Sequence, residues 1–375
     1  MASALTAERV RQDVDVVARA GLELETFLEE AMASVRRAVP WVSACVGTHD
    51  PSTHMLTSAR KYGDMQGSDA HDHEFALIEY GMVEETAFTE LARTGTDAAG
   101  VHLVTGGEVE RSARMAQFMK PHFGFGDEAR LAFRDGSELW GALAVFRGAD
   151  DAPFDRAEVD FLASLAVPFA RGVKTGLLSR SADLLPPAGG GGPAVIIVGR
   201  DDQVTQMTPA AEAWLGELVH ATGRCDPISP VAALIGAARR YGRGETAVPP
   251  RCRLRTVSGM WLVLQAGPLS SFRERDGDVV ITIEEARPPE IVALVVAAFG
   301  LTVRERDVTQ LVLQGVDTKE MASRLHLSAY TVQDHLKSVF DKAGVRSRRE
   351  LIARIYFDQY VPRMGGELAP SGWYA

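Results

Sequence analysis

Apolar positions recur at helical spacing where the chain begins: Val10, Val14 and Val17, then Phe27, Leu28, Met32 and Val35, with a break at Gly21 and a stop at Pro40. The period then changes. Residues 43–48 and 55–62 are short β-prone runs on either side of a Pro-Ser-Thr turn, and residues 129–133 face 139–146 across Asp135-Gly136, a hairpin pattern. From Phe154 the helical period returns. Asp155 is the expected N-cap, with Glu158 three residues on, and Phe161, Leu162, Leu165, Phe169, Val173 and Leu177 form one stripe that Pro168 should kink. Such a stripe packs on its own sheet or pairs with a second copy of itself.

Pro and Gly punctuate the chain at 184–193 (LLPPAGGGGP) and at 284–290 (EEARPPE), which divides it into three segments. The first runs over 1–183. The second, 194–285, opens with strands at 194–198 and 204–207 around Asp201-Asp202. Thr208 then caps a helix that has Pro209 in its first position. A second helix at 231–241 precedes a hairpin of 251–257 with 261–266 around Ser258-Gly259, and a last strand lies at 278–283. This β-β-α-α-β-β-β order predicts a small antiparallel sheet with helices on one side. Residues 286–300 read as a linker or helix, 301–360 as an all-α module and 361–375 as a tail.

The third segment carries the most explicit signals. Thr302 with Glu305 forms a capping box and Gly315 ends the first helix. Asp317 or Thr318 caps a short second helix, and His326-Leu327-Ser328 turns into a third helix ended by Gly344. Ser347 with Glu350 opens a fourth. Val332, Leu336, Val339 and Phe340 point inward along the third helix, which leaves Gln333, Asp334 and Lys337 outward. Two short helices joined by a tight turn, the second with a polar outer face, make a helix-turn-helix.

Charge sharpens this reading. The chain has 375 residues and a net charge of -10, which would ordinarily argue against nucleic acid as a partner. Residues 319–354, however, hold eight basic against four acidic side chains, net +4, whereas the first 318 hold 31 against 44, net -13. An acidic body attached to a basic module suits a partner that is a polyanion. The longest uncharged apolar stretch, at 291–301, is too short to span a bilayer, and a cytoplasmic protein without membrane contact is expected. Cys45, Cys225 and Cys252 are far apart, so neither a disulfide framework nor a cysteine zinc site is indicated.

The segments LTVRE, MASRLHLSAYTVQDHLKSVFDKAGV and SRRELIAR closely resemble the DNA-binding domain of LuxR-type transcriptional regulators, over about 60 residues. The resemblance implies a four-helix fold, a homodimer on inverted-repeat double-stranded DNA, and a third helix in the major groove. It assigns base reading to Gln333, Asp334 and Lys337. Thr331, His335, Lys342, Arg346, Arg348 and Lys319 are expected at the DNA backbone, and Leu351, Ile352 and Ile355 on the helix through which such domains pair. Asp334 departs from the usual pattern, because a carboxylate accepts from a cytosine amino group but repels phosphate. Upstream, the hairpin ending WGALAVFRG with its following helix is similar to a GAF-type domain, and TPAAEAWLGEL after two strands to the start of a PAS-type domain. The implied fold class is multidomain α+β: two antiparallel-sheet sensory domains, then the all-α module. The implied role is transcription controlled by an effector or partner, with no receiver domain for a phosphorelay.

Trp41, Tyr62, Phe75, Tyr80 and Trp140 are candidates for an apolar effector pocket, although core packing explains each equally well. The run His71-Asp72-His73-Glu74, with His49 and His54 upstream, is set against a plain polar loop. Without a second ligand set at zinc-finger spacing, no metal and no cofactor are expected; a small-molecule effector is. Cys45 has no identifiable base, and GxSxG and phosphate-loop patterns are absent, so the chain is not expected to be an enzyme. The competing function is a ligand-binding or protein-interaction module whose helix-turn-helix serves only for dimerisation.

Overall fold

A computed structural model describes residues 4–178, 192–221, 228–256, 260–269 and 277–357. The Pro/Gly linker apart from Gly192 and Pro193, the Ser258-Gly259 turn, Cys225 and the tail lie outside the described residues.

Helices α1 (Ala4–Arg19) and α2 (Leu24–Ala38) lead into strand β1 (Ser43–His49), which pairs antiparallel with β2 (Leu56–Gly63). Helices α3 (Asp72–Gly81) and α4 (Phe88–Thr94), strand β3 (Ala98–Gly100), the single turn α5 (Val101–Val104), a π-helical turn at Met115–Met119 and α6 (Lys120–Phe123) follow. The expected hairpin is present as β4 (Phe125–Asp135) and β5 (Glu138–Gly148), longer than the sequence suggested. Its turn needs a backbone that L side chains avoid, and Gly136 supplies it at φ 63°. The strand order is β2-β1-β5-β4-β3, all antiparallel.

Asp155 caps the next helix in a complete capping box with Glu158. The expected long helix is two: α7 (Arg156–Ala163) and α8 (Ala166–Leu177). The break at Ser164 lies four residues before Pro168, where the proline ring would meet a helical carbonyl. Of the two uses open to its apolar stripe, the structure adopts core packing. Phe169 stacks on Phe133 of β4 at 4.5 Å and meets Phe27 of α2 edge-on at 5.7 Å. Gly172 lets Phe27 in, since a Cβ there would sit 2.1 Å from the ring.

Strands β6 (Ala194–Val198) and β7 (Val204–Met207), helices α9 (Pro209–Ala221) and α10 (Ile228–Gly242), then β8 (Arg251–Arg255), β9 (Trp261–Pro268) and β10 (Val279–Glu285) form the second sheet. Thr208 caps α9 as expected, its hydroxyl accepting from Ala211 N–H at 3.3 Å. The order β7-β6-β10-β9-β8 repeats that of the first sheet.

The two sheets belong to one compact unit. Met55, Ala76 and Tyr80 of the first half are buried in one cluster with Ile196, Leu234, Leu262 and Ile281 of the second. Helices α3 and α10 meet at paired glycines: a Cβ on Gly236 would lie 2.9 Å from the Gly81 nitrogen. Buried Asp50 clamps buried Arg253, taking its guanidinium at 2.7 and 2.8 Å and its backbone N–H at 2.9 Å. Such a pair is expensive to break, because the remaining charge would be left buried alone.

A second unit is all helical: α11 (Pro288–Ala298), α12 (Val303–Leu313), α13 (Thr318–Leu325), α14 (Ala329–Ala343) and α15 (Arg348–Ile352), which continues as a π turn to Phe357. Fold class thus matches expectation, two antiparallel five-stranded sheets followed by an all-α module. No helix among the described residues is long and apolar enough to cross a membrane.

Candidate functional site

Helices α12 to α15 of the second unit each start where a cap residue dictates. Thr302 and Glu305 close a capping box. Asp317, Ser328 and Ser347 accept from the backbone N–H groups of Glu320, Thr331 and Glu350, each satisfying a donor the first helical turn leaves open. The turn between α13 and α14 is fixed by His326, a non-glycine residue at φ 55°. Along α14, Val332, Leu336 and Val339 are buried. Gln333, Asp334 and Lys337 are exposed on the opposite face. Tyr330, 74% exposed, lies three, four and seven residues before them and so shares that face. Sequence reasoning passed Tyr330 over, although an aromatic on the polar side of an amphipathic helix was a readable signal.

Beneath this surface is one buried carboxylate. Glu305 of α12 receives Lys342 Nζ and Ser338 Oγ of α14, both at 2.6 Å, and the Thr302 N–H at 2.7 Å. Burial alone would raise its pKa, but the Lys342 and Ser338 hydrogen bonds and the cap outweigh it and hold the group at about 2. Lys342 is itself exposed, and Arg348, half-buried, donates to the Val316 carbonyl at 2.9 Å and to Thr318 Oγ1 at 2.7 Å. Lys342 and Arg348, both expected at the DNA backbone, therefore brace α14 and α15 against α12 and α13. Lys319 and Arg346 are exposed, His335 is half-buried, and Thr331 shares a 2.8 Å hydrogen bond with Ser328. Of the three residues expected to pair two domains, Leu351 and Ile355 are wholly buried within the chain, α11 packing on the turn that holds Ile355. Ile352 remains partly exposed.

A second candidate lies in the first unit. A cavity of about 50 Å3 lies between the first sheet, α3 and the π turn, with room for about three or four waters. Of the five expected pocket residues it takes Phe75 and Tyr80. Trp41 and Tyr62 instead meet each other edge-on at 6.4 Å, and Trp140 is buried under Lys174. Side-chain class alone could not separate these groups. The lining also includes His49, whose Nε2 meets the Tyr80 hydroxyl at 2.9 Å, and Cys45. Burial pushes His49 down to about 3 and the Cys45 thiol up to about 12, so near neutrality both are uncharged and the thiol is a poor nucleophile. One wall carries charge. Glu79 accepts from Arg130 at 2.9 Å and Arg114 at 3.2 Å, both arginines fully buried, and Arg114 also holds Glu128 and Glu84. Burial would raise the Glu79 pKa, but the two guanidinium groups keep it below the usual value.

Comparison with known proteins bears on the helical unit. The family described as "Bacterial regulatory proteins, luxR family" matches residues 300–355. The spore germination protein GerE of Bacillus subtilis is 40% identical over 55 residues, 15% of this chain and 74% of GerE. Proteins named as HTH-type transcriptional regulators in Mycobacterium bovis and Mycobacterium tuberculosis are 48% identical over 53 residues, 14% of this chain; the match spans only 6% of their length. Among solved structures, the GAF domain of an Acinetobacter phosphoenolpyruvate-protein phosphotransferase overlaps 49% of this chain and 100% of its own, at 13% identity and a TM-score of 0.30. VqmA bound to DPO overlaps 44% of this chain and 85% of its own, at 18% identity and a TM-score of 0.20. Overlaps this slight say nothing about ligand or partner. The capped helices, the turn at His326 and the GerE match over most of that protein's length lead to one conclusion: through residues 300–355 the chain belongs to the LuxR family of bacterial regulatory proteins.

Proposed function

We propose that the protein is a sequence-specific DNA-binding transcriptional regulator that inserts α14 into the major groove as a dimer, under control of an effector or partner sensed by the GAF-like and PAS-like unit. The observation that carries this reading is the outer face of α14. Gln333, Asp334 and Lys337 are exposed opposite a buried apolar face, in the types that read base edges. Phosphate contacts are assigned to Lys319, Arg346, Lys342, His335 and Thr331, with Arg348 held by Val316 and Thr318, and affinity falls with salt as counterions return. Leu351 and Ile355 are buried inside the chain, which leaves Ile352 as the accessible residue of the three for pairing in either reading.

The effector reading rests on the cavity beside α3. Its largely apolar lining, neutral His49, Tyr80 and Cys45, and charged groups Glu79, Lys61 and Asp72 that are already paired suit a small uncharged molecule, and its present volume requires side chains to yield to anything larger. Such a molecule regulates only if it favours one arrangement of the chain over another. The test is fluorescence anisotropy of the full-length protein with a duplex recovered by site selection, at rising salt. Steeply salt-dependent binding is expected, with Lys337→Ala costing about 1 to 3 kcal/mol on the selected site. Full affinity in that variant would overturn the docking, and failure to recover any duplex would favour the interaction module.

A further inference from the structure

The His-rich run at 71–74 acquires a partner in space. His71 sits at the N-cap of α3 and Glu74 three residues on, so the two share one side of the helix start. His122, in α6 and far along the chain, joins them: its Nε2 lies 3.2 Å from Glu74 Oε2, and its ring lies 4.1 Å from that of His71, tilted by 33°. One nitrogen from each imidazole and one carboxylate oxygen lie within 4.8 Å of one another. Of the other acidic and imidazole groups nearby, Asp72 pairs with Lys61, His49 upstream meets the Tyr80 hydroxyl, and His73 lies outside the cluster.

We propose that His71, Glu74 and His122 bind a divalent cation of the zinc class, tying α3 to α6. Two neutral imidazoles and a carboxylate are a ligand set that suits such borderline ions, and three protein ligands leave a coordination position for water. The rings are held for the purpose by aromatic contacts, Phe118 at 6.3 Å from His71 and 4.9 Å from His122, and Phe123 at 6.4 Å from both. Phe118 and Phe123 also line the cavity, as do Phe75 and Tyr80 of α3. Occupancy of the metal site therefore fixes two walls of that cavity against each other.

The experiment uses the untagged full-length chain, stripped with a chelator and titrated with Zn2+ by calorimetry and with Co2+ by visible absorption. One ion per chain is expected, with Co2+ giving the spectrum of a low-coordinate site and Zn2+ raising the melting temperature. His71→Ala and His122→Ala should each weaken binding by about tenfold or more and abolish the metal-dependent rise, whereas His73→Ala should leave both unchanged. Glu74→Gln, at an exposed position, gives the same reading if an alanine variant folds poorly. Absence of stoichiometric binding, or binding that survives His122→Ala and Glu74→Gln undiminished, would overturn the proposal.

Discussion

Glu305 is 5% exposed and receives the Lys342 ammonium, the Ser338 hydroxyl and its own cap N–H. Its folded pKa of about 2 lies below the ordinary carboxylate value of 4.5, so the stabilisation it brings is complete above 4.5 and is lost as pH falls toward 2. Glu305→Gln should lower stability by about 1 to 3 kcal/mol at neutral pH and flatten the acid limb of a melting-temperature profile over that window. An unchanged acid limb would mean that Glu305 is not the titrating group. The outward residues of α14 were legible from spacing alone, because an amphipathic helix has only one polar side. The intramolecular bonds of Lys342 to Glu305 and of Arg348 to Val316 and Thr318 were not, since spacing marks no partner for a long basic side chain. His122 was invisible beside His71 and Glu74 for a different reason, having no neighbour in sequence that marks it as a ligand.

Helix ends, more than helix interiors, were written into the chain. Asp155, Thr208, Thr302 and Ser347 cap where the sequence placed them, and of Asp317 and Thr318 it is Asp317 that caps, because a side-chain oxygen before an apolar run serves the unpaired N–H groups of the first turn; Ser328, read only as part of a turn, caps the third helix. The stretch from Asp69 to Phe123 was unreadable. Its main helix, α3, buries Asp72 and Glu79 beside Ala76 and Tyr80, so ion pairs stand where apolar periodicity should. That helix owes its place to α10. Gly236→Ala should push the two apart, since its Cβ would meet the Gly81 nitrogen at 2.9 Å and the Tyr80 carbonyl carbon at 3.2 Å, both backbone atoms that cannot rotate aside. A loss of about 1 to 3 kcal/mol by denaturant unfolding is expected, and no loss would contradict the close approach.

Over the whole chain, two sheets with the same strand order answer the expectation of two antiparallel-sheet domains, yet they share one core and a buried Asp50–Arg253 pair. Proline and glycine mark where regular structure stops, not whether the flanking elements later pack together, and the Pro/Gly linker gave no hint of that fusion. The basic surplus over residues 319–354 pointed to the helical unit without marking its start, since that window opens inside α13. The central claim is that α14 reads DNA sequence, and the measurement that reaches it most directly is site selection from random duplexes with wild type and Gln333→Ala in parallel. The account predicts an inverted-repeat motif for wild type, and for the variant the same spacing with relaxed base preference at matching positions in both half-sites. An identical motif from both proteins would contradict it.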